Sequence, residues 1–194
     1  MSTKALLVVD VQNDFCEGGS LAVAGGSEVA TRVTRLLEGE TAGDYVTIVA
    51  TRDHHVDPGR HFSAEPDYVD TWPQHCVAGT RGAEFHPALR SDRFDAVFDK
   101  GERAAAYSGF EGVDDRGTGL AEWLTTHGVT EVDIVGIATD HCVKATALDA
   151  VSLGWHTRVL LGLTAGVAPQ TVEAALQQMR EAGVELSAAN DQDG

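Results

Sequence analysis

EVDIVGIATDHCVKATALDAVSL, residues 131–153, decides the fold of this chain. An apolar run, Val132–Ala138, ends in Thr139-Asp140-His141-Cys142 and passes directly into a helical pattern. The reading is a buried strand that turns sharply into a helix and delivers Cys142 to the helix start. Backbone N–H groups left free at a helix N-terminus favour a thiolate and can lower a thiol pKa from about 8.5 toward ~3.5–7.5. The same groups can hold a developing oxyanion. Taken alone, the segment reads slightly better as a buried structural cysteine.

The same strand-then-helix pattern repeats along the chain. Apolar runs at Ala5–Val11, Val46–Thr51, Ala96–Asp99 and Arg158–Leu161 join Val132–Ala138 as expected strands, with a weaker sixth near Val184–Ser187. Most are apolar on both faces, as in a parallel sheet covered on both sides. Helical periodicity falls at Ser27–Leu37, Gly119–Thr126, Cys142–Leu153 and Thr171–Ala182. Gly128, Gly154 and Gly183 follow three of these, where a left-handed C-cap is favoured. The expectation is an α/β fold, three layers α/β/α around a mainly parallel central sheet. One domain is expected over residues 1–188, with 189–194 as a frayed tail. The stretch 52–93 is rich in Pro, His, Trp and Gly and fits no regular element; a segment of this kind reads as an ordered, functional loop.

Composition narrows the functions. The 194 residues carry 14 basic and 30 acidic side chains, a net charge of −16. Such a surface repels nucleic acid phosphates and anionic lipid, so neither is an expected partner. No run approaches the ~20 apolar residues of a membrane span. The N-terminal MSTK runs straight into a strand, without the pattern of a secretory signal, so a cytoplasmic location is the default expectation. Cys16, Cys76 and Cys142 are widely spaced, which argues against a disulfide framework and a zinc ribbon. A homo-oligomer stays open.

In an open parallel sheet, ligands bind beyond the carboxyl ends of the strands. The expected strand ends carry Asp10, Asp53, Lys100 and Cys142. Any one of these reads most simply as a surface charge or turn residue. Four at one edge make a chemical set. A thiol must lose a proton and a leaving amine must gain one, and a carboxylate at Asp10 can carry both. Reference values of ~8.5 for Cys and ~3.9 for Asp leave roughly 6 kcal/mol against that transfer. Burial would raise Asp10, while the helix terminus and Lys100 would lower Cys142. Asp53 and His55 flank one residue and share a face in extended chain. With His61 and His75 from the irregular loop they suit Zn, Fe or Mn. His54 faces the other way, His86 is a nearby decoy, and His127 and His156 sit at element boundaries.

Together these motifs resemble the nicotinamidase/pyrazinamidase branch of the isochorismatase-like cysteine hydrolases. The resemblance rests on VVDVQNDFCEGGSLAV (8–23), DHHVDPGRHFS (53–63), PDYVDTWPQHCVAGT (66–80), VFDKGERAAAYSGFEGVD (97–114), VGIATDHCVKATALDAV (135–151) and QTVEAALQQMREAGVEL (170–186). It implies the isochorismatase-like hydrolase fold, with Asp10 as general base and acid, Lys100 as its electrostatic partner and Cys142 as nucleophile. It implies one divalent metal on Asp53, His55, His61 and His75, and an oxyanion hole of the Ala138 and Cys142 amides. Phe15, Trp72, Tyr107, Ile137 and Ala138 would meet the substrate, and a cis peptide would join Ile137 to Ala138. The implied reaction is nicotinamide to nicotinate and ammonia through a cysteine thioester, with pyrazinamide as a further substrate and NAD salvage as the setting. One departure is His54, which stands where an aromatic is the family's habit. Two other readings remain: a cysteine amidase for another small amide, such as a carbamoyl or ureide compound, and a non-catalytic module that binds a metal or ligand.

Overall fold

In the computed structural model, which describes residues 3–188, six strands form one sheet. They are β1 (Lys4–Val9), β2 (Tyr45–Asp53), β3 (Ala96–Lys100), β4 (Glu131–Ile137), β5 (His156–Ala165) and β6 (Glu185–Ser187). The helices are α1 (Gly26–Glu38), α2 (Leu120–Thr126), α3 (Lys144–Ser152) and α4 (Pro169–Glu181). Residues 189–194, the expected tail, lie outside the described residues. Strand order is β3-β2-β1-β4-β5-β6, and every pairing is parallel.

The central strand shows why these residues choose a covered sheet. Residues Ala5 to Val9 are all fully buried. Ala5, Leu7 and Val9 enter a core shared with Leu120 and Leu124 of α2, Ala147 and Ala150 of α3, and Met179 of α4. Leu6 and Val8 enter the opposite core with Val29, Val33 and Leu37 of α1. Each such Leu or Val contributes roughly 1.5–3 kcal/mol on burial. The result is the expected three layers. Gly128, Gly154 and Gly183 have φ of +65°, +99° and +92°, as the C-cap reading requires.

Two boundaries differ in an informative way. The strand expected to end at Leu161 continues to Ala165, because a register shift between Ile134 and Gly136 lets β5 pair on past Gly162. The helix expected from Cys142 begins at Lys144; residues Thr139–Val143 instead form a wider turn with π-type bonding.

The sheet order reverses between β1 and β4, so a crevice opens beyond their carboxyl ends. Asp10 leaves β1 there at φ +51°. Gly136 of β4 makes the close approach possible. Its φ is +117°, and a Cβ on it would lie 2.0 Å from the Val9 carbonyl oxygen. Gly136→Ala is therefore expected to destabilise the fold by about 3 kcal/mol or more, through backbone strain and collision together. Urea unfolding measures it, and a loss below ~1 kcal/mol would contradict the packing.

Candidate active site and metal centre

The crevice collects the strand ends. Lys100 Nζ lies 2.9 Å from Asp10 Oδ2, 3.7 Å from Cys142 Sγ and 3.3 Å from the Ala106 carbonyl, and it also bonds Asp53 Oδ1. Thr51 donates its hydroxyl to Asp10 Oδ1 at 2.6 Å. Asp10 is fully buried and Lys100 nearly so. Asp10, Lys100 and Cys142, inferred as a set from strand ends alone, thus meet at one buried point.

Burial raises the Asp10 carboxyl above its usual value, against the opposing pull of Lys100. Burial also pulls Lys100 down, but Asp10 and Asp53 outweigh it and hold the ammonium firmly protonated. Asp53 stays well below the usual carboxylate range, because Lys100 and the neighbouring histidines overcome its burial. Cys142 departs from the sequence expectation. Its thiol is pushed well up, not down, because burial and the two carboxylates outweigh Lys100. A local helix-terminus argument could not register that burial.

The turn after β4 supplies the amides. The Ile137–Ala138 peptide is cis. The Ala138 carbonyl accepts from His141 N and Val143 N, both at 3.1 Å, and passes over the Cys142 amide between them. The wide turn thus keeps this N–H off the Ala138 carbonyl.

Asp53, at the end of β2, also faces the loop histidines. Its Oδ2 is 3.5 Å from His55 Nε2 and 3.7 Å from His75 Nε2. His55, His61 and His75 are buried, and one ligand nitrogen from each lies within 4.8 Å of the others. His55 Nδ1 contacts the Gly101 carbonyl at 2.6 Å, and His75 Nδ1 the Pro73 carbonyl at 2.7 Å. A carbonyl only accepts, so both rings carry a proton on Nδ1, which leaves Nε2 as the atom that would meet a metal. His55 Nε2 and His61 Nδ1 are buried without a hydrogen-bond partner. Burial, then His75 and His55, push His61 down to about 4, which keeps it neutral. Buried, convergent imidazoles with orphaned nitrogens fit a divalent metal ion. His54 turns away, 3.9 Å from Asp99, and His86, His127 and His156 do not join the cluster. Gly101, at φ +75°, lets His55 pack against it; a Cβ there would lie 2.6 Å from His55 Cε1.

An apolar pocket opens over both groups. Its walls include Phe15, Trp72, Tyr107, Ile137 and Ala138, together with Cys142, Asp53, His61 and His75. Trp72 Nε1 donates to the Tyr107 hydroxyl at 3.0 Å. The sequence reading missed Leu21, Val23, His141 and Val167, which also line it. His141 stands edge-on to Trp72, with ring centroids 5.2 Å apart. Its place in TDHCV, one residue before the nucleophile candidate, was the available signal. Of the stretch 52–93, Arg52 and Asp53 extend β2, and the rest is ordered as expected, by short turns and bridges pairing His55 with Val77 and Phe62 with Trp72.

The isochorismatase domain matches this chain over residues 4–191. The chain is 60% identical to a Mycobacterium tuberculosis nicotinamidase/pyrazinamidase over 183 residues, which cover 94% of this chain and 97% of that one. A crystal structure of Pyrococcus horikoshii pyrazinamidase in complex with zinc superposes with a TM-score of 0.81 at 38% identity, covering 95% of this chain and 98% of that one. Another, of PnC1 from L. infantum in complex with nicotinate, gives a TM-score of 0.84 at 34% identity, covering 96% of this chain and 92% of that one. The fold, the crevice and these matches define a hydrolase of three-layer α/β/α architecture built on a parallel sheet. The chain belongs to the isochorismatase family.

Removing a ring from the histidine cluster tests the metal assignment. His75→Ala is expected to lower zinc affinity by more than about tenfold and cut the zinc retained after dialysis. His54→Ala is expected to leave both unchanged, as elemental analysis of the purified proteins will show.

Proposed function

We propose that this chain is an amidase that hydrolyses nicotinamide to nicotinate and ammonia, with pyrazinamide as a second substrate. The observation that carries the proposal is the convergence of Asp10, Lys100 and Cys142 beside an apolar pocket that Cys142, His61 and His75 all line. The similarity to nicotinamidases and to a nicotinate-bound structure supports the choice of substrate.

Cys142 Sγ attacks the carboxamide carbon as its proton passes to Asp10. The thiol is held protonated at rest, so thiolate develops only with this transfer. The raised Asp10 carboxyl favours this transfer, while the raised Cys142 thiol opposes it. Lys100, 2.9 Å from Asp10 and 3.7 Å from sulfur, stabilises whichever of them bears the negative charge. The Ala138 and Cys142 amides hold the oxyanion. Asp10 returns the proton to the amide nitrogen, the C–N bond breaks and ammonia leaves. Asp10 then takes a proton from water, which attacks the thioester carbon. The C–S bond breaks, sulfur regains its proton, and nicotinate is released.

Phe15, Trp72 and Tyr107 pack on the ring and exclude water. Asp53, His55, His61 and His75 would hold one divalent metal, with zinc, iron and manganese all compatible with the donors. Such a metal supplies a Lewis acid for the ring nitrogen and so orients the substrate.

Ammonia release from nicotinamide is the test. Wild-type protein is expected to release it, to lose the activity on chelation and to regain it with added metal. Cys142→Ala is expected to lose turnover by at least about 10⁴-fold while still binding nicotinamide. Wild-type rates in that variant would remove Cys142 as nucleophile. Release from carbamoyl or ureide amides, but not from nicotinamide, would replace the substrate.

A further inference from the structure

Gln12 belongs to the VVDVQNDF motif but takes no part in the chemistry above. It is fully buried, and its side-chain amide is fully used. Its Oε1 accepts from Asp53 N at 2.8 Å, and its Nε2 donates to the Asp53 carbonyl at 2.8 Å and to the Ala83 carbonyl at 2.9 Å. The ladder between β1 and β2 explains why. It runs through Val9 opposite Thr51, and Asp10 N still reaches the Thr51 carbonyl at 3.1 Å. Asp10 then turns the chain aside at φ +51°. On the far side Asp53 stays paired with Lys100 of β3. On the near side the departure of β1 would leave the Asp53 N–H and carbonyl without strand partners. The Gln12 amide reproduces that missing strand, with one donor and one acceptor.

Asp53 is the residue for which this matters. Its carboxylate joins Lys100, on Oδ1, to His55 and His75, on Oδ2. A small rotation of its backbone would swing both oxygens at once. The second Nε2 hydrogen reaches Ala83, tying the end of β2 to the far part of the loop that carries His61 and His75. We infer that Gln12 is a positioning residue that sets Asp53, and through it the spacing between the metal-binding side and the Lys100–Cys142 side of the site. This rests on the metal assignment given above and extends it to a residue that touches neither metal nor substrate.

The test uses cobalt(II), whose visible spectrum reports ligand geometry, added to metal-stripped full-length protein. Gln12→Met keeps the length and removes the donor and acceptor. Gln12→Glu keeps an acceptor for Asp53 N and loses the amide donors, and serves if the methionine variant does not fold. Leu124→Ala, in the core on the α2 face, sets the loss that general destabilisation causes. Gln12→Met is expected to lower cobalt affinity by about 10- to 100-fold and to shift the visible bands. Gln12→Glu is expected to do likewise, and Leu124→Ala to leave both near wild type. Wild-type affinity and spectrum in both Gln12 variants would overturn the inference. So would an equal loss in Leu124→Ala. If wild-type protein itself binds no cobalt, the metal assignment fails, and the role of Gln12 fails with it.

Discussion

One buried ammonium constrains this structure more than any other group. Lys100 Nζ sits between the carboxylates of Asp10 and Asp53, with none of its side chain exposed. A charge so placed is costly unless paired, and removing one partner leaves the others stranded. The three residues come from the ends of β1, β2 and β3, adjacent strands in the sheet. The arrangement therefore requires their register to be right, and the register in turn fixes where Cys142 and the histidines must stand. Charge pairing and sheet order are two sides of one constraint.

The irregular stretch between β2 and β3 is ordered by polar contacts more than by apolar packing. Asp14 accepts from Cys76 N at 2.7 Å and from Ser20 N at 3.2 Å, holding the segment beside His75 against the turn after β1. Asp67 accepts from three backbone amides, Val69, Asp70 and Thr71, each at 2.9 Å. The histidine rings then pack on one another and on Phe62, with centroids 5.0–5.9 Å apart. A bound divalent ion would add the remaining stabilisation at the orphaned imidazole nitrogens.

The elements were legible because their signals are local. Short runs apolar on both faces and period-3.6 patterns, with glycine stops at Gly128, Gly154 and Gly183, place nearly every strand and helix within a few residues. The strand-end rule also brought Asp10, Asp53, Lys100 and Cys142 to one edge, and strand order then made them neighbours. That order was not legible, since it depends on pairings between distant residues such as Val9 with Gly136. The thiol was misjudged for a related reason. A helix-start argument sees the peptide dipoles near Cys142 but not the burial and the two carboxylates that outweigh them. The wide turn at Thr139–Val143 was hidden too, because its sequence reads as ordinary helix. Gln12 reads as a polar residue in a turn until the departure of β1 shows which backbone groups need it.

The central claim is covalent attack by Cys142, and a rapid-quench single turnover with nicotinamide tests it most directly. Acid-quenched samples would be digested and the three cysteine peptides weighed. A nicotinoyl group should rise on the Cys142 peptide, fall as nicotinate forms, and never reach the Cys16 or Cys76 peptides. Complete conversion to nicotinate with Cys142 unmodified at every time, sampled faster than the turnover itself, would contradict it.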